Sequence, residues 1–264
     1  MKWPSSFTFI RHGQSVFNAN KIQRLQHPLY QEFIRQAQEE LRVATTMDWP
    51  SDSLKELAKR VTPIANTQHT DYNAPLTVEG IRQAKVTGNQ LKQQIPLPDI
   101  VYVSPYLRTK QTFESLSGAW SELKNCRMVL EERIREQEHG MSNLYNDPKL
   151  FGVFHPDQGL LSKKEGPYHY RFLNGESQAD VRDRVRSFMS TVIREHAEEN
   201  VLVVSHHLTL LSIRANLERW TPEQFMEFDQ HQRPINCGVT MYNGRPEIGK
   251  EGKLVLERYN QKLY

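Results

Sequence analysis

The chain has 264 residues, 38% hydrophobic and 25% charged, a composition that indicates a folded globular protein rather than a disordered one. Its 34 Lys and Arg residues nearly balance 31 Asp and Glu residues, and the net charge of +3 does not indicate a nucleic-acid-binding protein. No apolar run approaches the roughly 18 residues of a membrane span, and the first residues lack the apolar core of a signal peptide. Two cysteines are too few for a disulfide framework or a structural zinc site. We therefore expect a cytoplasmic protein that binds neither membrane nor nucleic acid.

Short apolar runs alternate with amphipathic stretches along the chain, which is the pattern of an α/β fold. The predicted strands are 7–10, 99–103, 201–205, 239–242 and 253–259. The predicted helices are one that follows an N-cap at Thr77 and ends before Pro96, then 107–116, 178–198, 208–219, and one that follows a capping box at Thr221. We expect a mostly parallel central sheet with helices on both faces.

A long polar interval from about residue 19 to residue 74 separates the first strand from the rest of the pattern. Apolar residues from Tyr30 to Ala44 recur at helical spacing, and Ser53 with Glu56 resembles a capping box for a second helix. We interpret the interval as a helical insertion within a single domain of residues 1–264. A cap over an active site and two helices packed beside the sheet both fit this pattern.

Three predicted parallel strands end in cationic or imidazole side chains. The first ends at Arg11 and His12, the second leads into Arg108, and the strand 201–205 leads into His206. The carboxyl ends of neighbouring parallel strands meet at one edge of a sheet, where ligands bind. Guanidinium forks suit phosphate geometry, and Gly13 would let the backbone approach such an anion closely. The pattern therefore predicts an anion site, with Gln14 and Ser15 as candidate substrate contacts.

The order of these motifs resembles the histidine phosphatase superfamily, in its phosphoglycerate mutase-like branch. The matching segments are 9–15 with Asn18, Leu76-Thr77 with Gly80 and Ala84, 103–109 with Thr112, Glu136 with Gly140, 175–177 with Val181 and Arg184, and 203–206. Residues 135–140 and 170–172 are further similar to plant and bacterial mutase-like proteins. The resemblance implies a phosphoglycerate mutase-like fold.

The resemblance also implies phosphoryl transfer through a phosphohistidine, with His12 as the nucleophile. Arg11, Arg108 and Asn18 would bind the phosphoryl oxygens, and His206, protonated or donating a hydrogen bond, would complete the cradle. Glu136 would be the general acid and base, chosen among four neighbouring glutamates because it lies four residues before a glycine. The resemblance implies no cofactor and no metal ion, because the cations are side chains.

His207 departs from the family, which usually has glycine there, and it could contact substrate or turn aside. The residues after Arg108 and Glu136 lack the basic groups of glycolytic mutases, so we expect a phosphatase acting on a small phosphomonoester. A phosphomutase and a non-catalytic phospho-ligand binding protein are the alternatives, while a metal hydrolase is disfavoured by the absence of His-Glu-x-x-His and Cys-x-x-Cys motifs. Specificity is expected from the insertion and from 145–172, whose aromatic rings could stack on substrate or simply pack. The sequence leaves the oligomeric state open.

Overall fold

Residues 2–46 and 48–264 are described by a computed structural model. Its strands are β1 Ser6–Arg11, β2 Ile100–Val103, β3 Arg127–Leu130, β4 Asn200–Ser205, β5 Val239–Arg245 and β6 Lys253–Gln261. They form one sheet in the order β3-β2-β4-β1-β5-β6. The four strands from β3 to β1 are parallel to one another, whereas β5 and β6 are antiparallel to their neighbours. The expected α/β fold with a mostly parallel sheet is confirmed.

Ten α-helices accompany the sheet in the described part of the chain. They are α1 Val16–Gln26, α2 Pro28–Val43, α3 Asp52–Ala65, α4 Val78–Leu91, α5 Leu107–Ala119, α6 Pro148–Phe154, α7 Pro156–His169, α8 Gln178–Glu195, α9 His207–Glu218 and α10 Pro222–His231. Among these residues, no helix is both long enough and apolar enough to cross a membrane.

The chain divides into two compact units. The first, which we call the core unit, holds the whole sheet and consists of the described residues through Val16, Tyr72–Glu136 and Val181–Tyr264. The second, the helical unit, consists of Phe17–Asp71 and Gln137–Asp180. The helical unit thus combines the predicted insertion with the later segment that contains 145–172. The single-domain organisation stays a prediction.

Both faces of the sheet in the core unit are covered, because successive strand side chains point to opposite sides. On one face, Val101 and Val103 belong to a buried apolar cluster with Leu91 of α4 and Leu116 of α5. On the other face, the ring of Tyr102 lies 5.1 Å from that of Phe188 on α8, centroid to centroid. Burial on both sides explains why the central strands read as continuous apolar runs rather than as alternating ones.

The helical unit has its own apolar core. Residues of α2, α3 and α6 that are buried together include Phe33, Leu54 and Leu150. Helix α3 begins at Asp52 with Ser51 as its N-cap, whose hydroxyl accepts a hydrogen bond from the Leu54 amide. The predicted cap at Ser53 was therefore wrong by two residues, because Ser51 offers the same chemistry one position before the helix begins.

Sequence periodicity did not reveal β3, α6 and α7. β3 has only four residues and is largely exposed, and α7 contains two glycines and two prolines. Such compositions weaken both periodic signals. Phe151, Tyr168 and Tyr170 are buried within the helical unit, so these three rings of the 145–172 segment pack. Helix α8 ends at Glu195, three residues before its predicted end, and the chain then turns through Glu198 at positive φ.

Candidate active site

The register of the parallel strands aligns three strand ends in the core unit. Arg11 pairs with Ser205, and Val103 pairs with Val204, so the residues that follow them emerge side by side. The His12 amide donates to the Ser205 carbonyl at 2.9 Å. The rings of His12 and His206 lie 5.2 Å apart, centroid to centroid. The sheet topology thus brings two of the predicted site residues into contact.

His12 is held in one tautomer. It is only 3% exposed, and its Nδ1 lies 2.7 Å from the Gly13 carbonyl oxygen. A carbonyl can only accept, so Nδ1 carries the hydrogen and Nε2 carries the lone pair of the neutral ring. Burial, and then the guanidinium charges of Arg108 and Arg11, lower the pKa of His12 well below 6.5. The ring is therefore neutral at physiological pH, with an unprotonated Nε2.

His206 is buried beside His12, and its ring is held by Ser104, the residue that follows β2. Its Nε2 lies 2.7 Å from the Ser104 hydroxyl, while its buried Nδ1 has no hydrogen-bond partner among the residues that the structure describes. Burial lowers the pKa of His206 well below 6.5, and the charge of Arg108 adds to the effect. Of the two roles expected for His206, this environment favours the neutral ring.

Two guanidinium groups add positive charge to the cluster. Arg11 donates from Nη1 to the Pro234 carbonyl at 2.8 Å, and its buried Nε has no hydrogen-bond partner within residues 2–46 and 48–264. Burial lowers the pKa of Arg11 to about 10, which leaves it cationic at neutral pH. Arg108 is also buried, with its Cζ 4.8 Å from the centroid of the Tyr106 ring. An anion would provide acceptors for such buried donors.

The segment that ends at Glu136 is fixed to the core unit through its backbone. The Ser205 hydroxyl donates to the Ile134 carbonyl at 2.6 Å. Arg184 of α8 donates to the carbonyls of Arg133 and Glu136 at 2.8 and 2.9 Å. The Glu136 carboxylate raises the pKa of Arg11, partly offsetting the larger lowering by burial, so its charge acts on the cluster.

The three glutamates near Glu136 in the sequence have surroundings that differ from one another. Glu131 forms a salt bridge with Arg133 at 2.7 Å, and Glu132 is exposed. Glu138 belongs to the helical unit.

The predicted substrate contacts Gln14 and Ser15, and the predicted phosphate ligand Asn18, follow His12 closely in the chain. Gln14 accepts a hydrogen bond at its Oε1 from the Thr77 hydroxyl, and buried Ser15 forms a β-bridge with Leu76. Asn18 lies in the first turn of α1 and belongs to the helical unit.

Gly13 has a packing role that the sequence did not indicate. Its amide donates to the Thr112 hydroxyl at 3.0 Å, and a Cβ there would come 2.5 Å from the Gly80 carbonyl oxygen. The close approach that requires glycine here is that of α4, and the approach of this backbone to an anion stays a prediction.

His207 points toward α10. Its Nε2 lies 2.8 Å from Asp229 Oδ1, and Arg233 lies 3.2 Å from the other carboxylate oxygen. Burial raises the pKa of Asp229, but the hydrogen bond and charge of His207, with Arg233, outweigh it and lower the pKa overall.

Sequence reasoning assigned no role to Ser104, Tyr106 or Asn236. Ser104 and Tyr106 lie in the segment after β2, and this position at the end of a parallel strand could have indicated them as site residues. The Asn236 side-chain amide donates to the His12 carbonyl at 3.0 Å from a loop distant in sequence, and no motif marks it. Within residues 2–46 and 48–264, no group of three or more His, Cys, Asp and Glu side chains is placed to hold a metal ion.

Comparison with known sequences finds two informative relatives. A phosphoglycerate mutase-like protein of Arabidopsis thaliana is 31% identical over 208 residues, which are 69% of this chain and 67% of the relative. Phosphoserine phosphatase 1 of Hydrogenobacter thermophilus is 32% identical over 131 residues, 50% of this chain and 58% of the relative. The matched part is thus well under two thirds of the phosphatase's length.

Among solved structures, the alpha-ribazole phosphatase of Shigella flexneri superposes with a TM-score of 0.66. The match covers 97% of this chain and 96% of that one at 16% identity, which supports a shared fold. A family model for the histidine phosphatase superfamily (branch 1) matches residues 63–252. That match begins within α3, so β1 and His12 precede it, yet it spans well over half of the chain. The chain belongs to branch 1 of the histidine phosphatase superfamily.

Proposed function

We propose that the protein is a phosphatase that hydrolyses a small phosphomonoester through a phosphohistidine on His12. The observation that carries the proposal is the state of the His12 ring. Its Nδ1–H is committed to the Gly13 carbonyl, and burial with two nearby guanidinium groups keeps it neutral. These are the conditions that a nucleophilic imidazole nitrogen requires.

In the first step, His12 Nε2 attacks phosphorus, and the P–N bond forms as the P–O bond to the leaving group breaks. Glu136 gives its proton to the leaving oxygen, so the alcohol departs neutral. Arg11, Arg108 and His206 donate to the phosphoryl oxygens, and Asn18 is assigned the same role from the family resemblance. Because these donors are fixed beforehand, charge moving across the phosphoryl group is stabilised without reorganisation.

In the second step, the Glu136 carboxylate takes a proton from water, and the water oxygen attacks phosphorus. The P–N bond breaks, its electron pair returns to Nε2, and inorganic phosphate leaves. The proton that Glu136 gave to the leaving group is thereby replaced from water, and the His12 ring is again neutral. The positive charge is supplied by Arg11 and Arg108, so we expect turnover without added metal.

Hydrolysis is supported over mutase activity by the residues that follow Arg108. A mutase must also hold the second anionic group of its substrate. Gln111 Oε1 accepts from the Leu76 amide at 2.8 Å, and the Thr112 hydroxyl bonds to both Gly13 and Arg108. Gln111 and Thr112 thus support the loops and offer no cation for a second anionic group beside the phosphoryl site, and Lys110, the cation that follows Arg108, lies at the exposed Tyr72 ring, 5.8 Å from its centroid.

The test is hydrolysis of an aryl phosphate from pH 4 to 9, a range that spans the usual pKa values of Glu and His. Chelator-treated protein and its His12→Ala variant are assayed in parallel. We expect chelator-resistant turnover that falls at least about 10³-fold in the variant. Turnover that survives in His12→Ala would reject the assigned nucleophile. Binding of phosphate esters without turnover at any pH would favour the non-catalytic alternative.

A further inference from the structure

Tyr72 is an exposed aromatic side chain of the core unit that lies near Arg11, His12, Arg108 and His206, which we call the phosphate cluster. Half of its surface (51%) is exposed. Its carbonyl accepts a hydrogen bond at 3.0 Å from the amide of Leu107, the first residue of α5. The residue that follows Leu107 is Arg108, so Tyr72 is fixed to the start of the helix that carries a phosphate-binding candidate.

A second ring, that of Tyr106, connects Tyr72 to the cluster. Tyr106 is buried, and its ring lies 5.2 Å from the Tyr72 ring and 5.0 Å from the His206 ring, centroid to centroid. Arg108 also contacts the Tyr106 ring. The aromatic surface therefore runs from the phosphate cluster to solvent in two steps of about 5 Å each.

Lys110 adds a positive charge at the outer end of this surface. Its Nζ lies 5.8 Å from the centroid of the Tyr72 ring, within the range of a cation–π contact. We call Tyr72, Tyr106 and Lys110 the rim platform. It combines a half-exposed ring, a buried ring that contacts it, and a cation that would attract an anionic substituent.

We propose that the rim platform binds the leaving group of the substrate, and that the preferred substrates are phosphomonoesters of planar aromatic groups that carry an anionic substituent. The inference rests on the proposed function, because it requires the ester phosphate to lie among Arg11, His12, Arg108 and His206. A planar leaving group attached to that phosphate extends outward past the buried Tyr106 ring and toward the exposed Tyr72 ring. Stacking on Tyr72 is favoured by the quadrupoles of both rings, in addition to the apolar area that it buries.

The experiment compares benzyl phosphate with cyclohexylmethyl phosphate. The two esters are close in size and have similar alcohol leaving groups, so the ratio of their kcat/KM values reports aromaticity. We expect the wild type to prefer the benzyl ester, and Tyr72→Leu to lower that preference about 3- to 10-fold. Tyr72→Phe keeps the ring and should keep the ratio, which separates stacking from a general loss of structure.

The role of the Lys110 charge is tested by comparing the kcat/KM values of 4-carboxybenzyl phosphate and benzyl phosphate. Lys110→Gln should lower the preference for the carboxylated ester, whereas Lys124→Gln, an exposed lysine elsewhere on the core unit, should not. Unchanged ratios in both Tyr72→Leu and Lys110→Gln, with both esters still hydrolysed, would overturn the rim platform and leave the proposed phosphatase intact.

Failure of the proposed function gives a different result. If the wild type hydrolyses none of these esters, the rim platform is tested by measuring the binding of benzyl phosphate and cyclohexylmethyl phosphate calorimetrically. Tighter binding of the benzyl ester that is lost in Tyr72→Leu would support the platform while rejecting the phosphatase. Equal binding of the two esters would overturn the platform as well.

Discussion

At the scale of single residues, the site depends on buried groups whose protonation is set by their neighbours. The His12 ring has a hydrogen-bond partner that fixes its tautomer and cations that keep it neutral. His206 Nδ1 and Arg11 Nε are buried without hydrogen-bond partners in the described part of the chain. Buried polar groups without partners cost free energy, and a bound phosphoryl group would satisfy them.

Arg108 should be intolerant of a change that preserves its charge. Lysine lacks the planar fork that binds two phosphoryl oxygens and stacks on Tyr106. We expect Arg108→Lys to lower kcat/KM for an aryl phosphate about 10²-fold. Arg127→Lys, at an exposed position of β3, is the matched control and should retain wild-type values. Equal activity of the two variants would contradict the assignment of Arg108 to phosphate binding.

At the scale of elements, α8 supports the loop that carries Glu136. Arg184 holds the carbonyls of Arg133 and Glu136, whereas Arg186 pairs with Asp183 on the surface. Arg184→Ala should lower kcat for an aryl phosphate about 10-fold or more, because the acid is no longer held in place. KM should change less, since the phosphate-binding groups are untouched. A rise in KM with kcat unchanged, or an equal effect of Arg186→Ala, would argue against this positioning role.

Helices α4 and α5 pack closely at a glycine. A Cβ at Gly88 would lie 2.7 Å from the Leu116 carbonyl oxygen, whereas a Cβ at Gly118 would meet no described residue within 4 Å. Gly88→Ala should therefore lower the free energy of unfolding by about 1–3 kcal/mol. Gly118→Ala should raise it by about 0.5 kcal/mol, because alanine favours the helix. Urea denaturation measures both changes. A Gly88→Ala variant with the wild-type free energy of unfolding would show that the two helices can move apart at little cost.

At the scale of the whole molecule, two buried neutral histidines link folding to pH. Their pKa values are well below 6.5 in the folded chain, while in the unfolded chain they return to about 6.5. Below that pH the unfolded state binds more protons, so stability is complete above about pH 6.5 and falls as the pH decreases. Each histidine contributes at most about 1.4 kcal/mol per pH unit.

Urea denaturation from pH 8 to pH 5 checks this linkage. We expect a smaller loss of stability toward acid pH in His12→Asn and in His206→Asn than in the wild type. His231→Asn, at an exposed position, should keep the wild-type slope. Identical slopes for all four proteins would show that the buried rings do not titrate with unfolding.

Local patterns were sufficient to predict most of the core unit from the sequence. Thr77 caps α4 and Thr221 forms a capping box, because these signals need only neighbouring residues. The strand-end rule likewise predicted that His12 and His206 would meet. Helix α6 and the donor Asn236 were not predicted, because the first is short and the second acts through a contact across 224 residues.

The most direct test of the account is to trap the phosphoryl group on the protein. Protein mixed with a phosphate-labelled aryl ester is quenched within milliseconds in alkali, where a phosphoramidate bond survives, and is then mapped by mass spectrometry. We predict label on His12 in the wild type and none in His12→Ala. Rapid turnover with no label on His12, or label on another residue, would contradict the central claim.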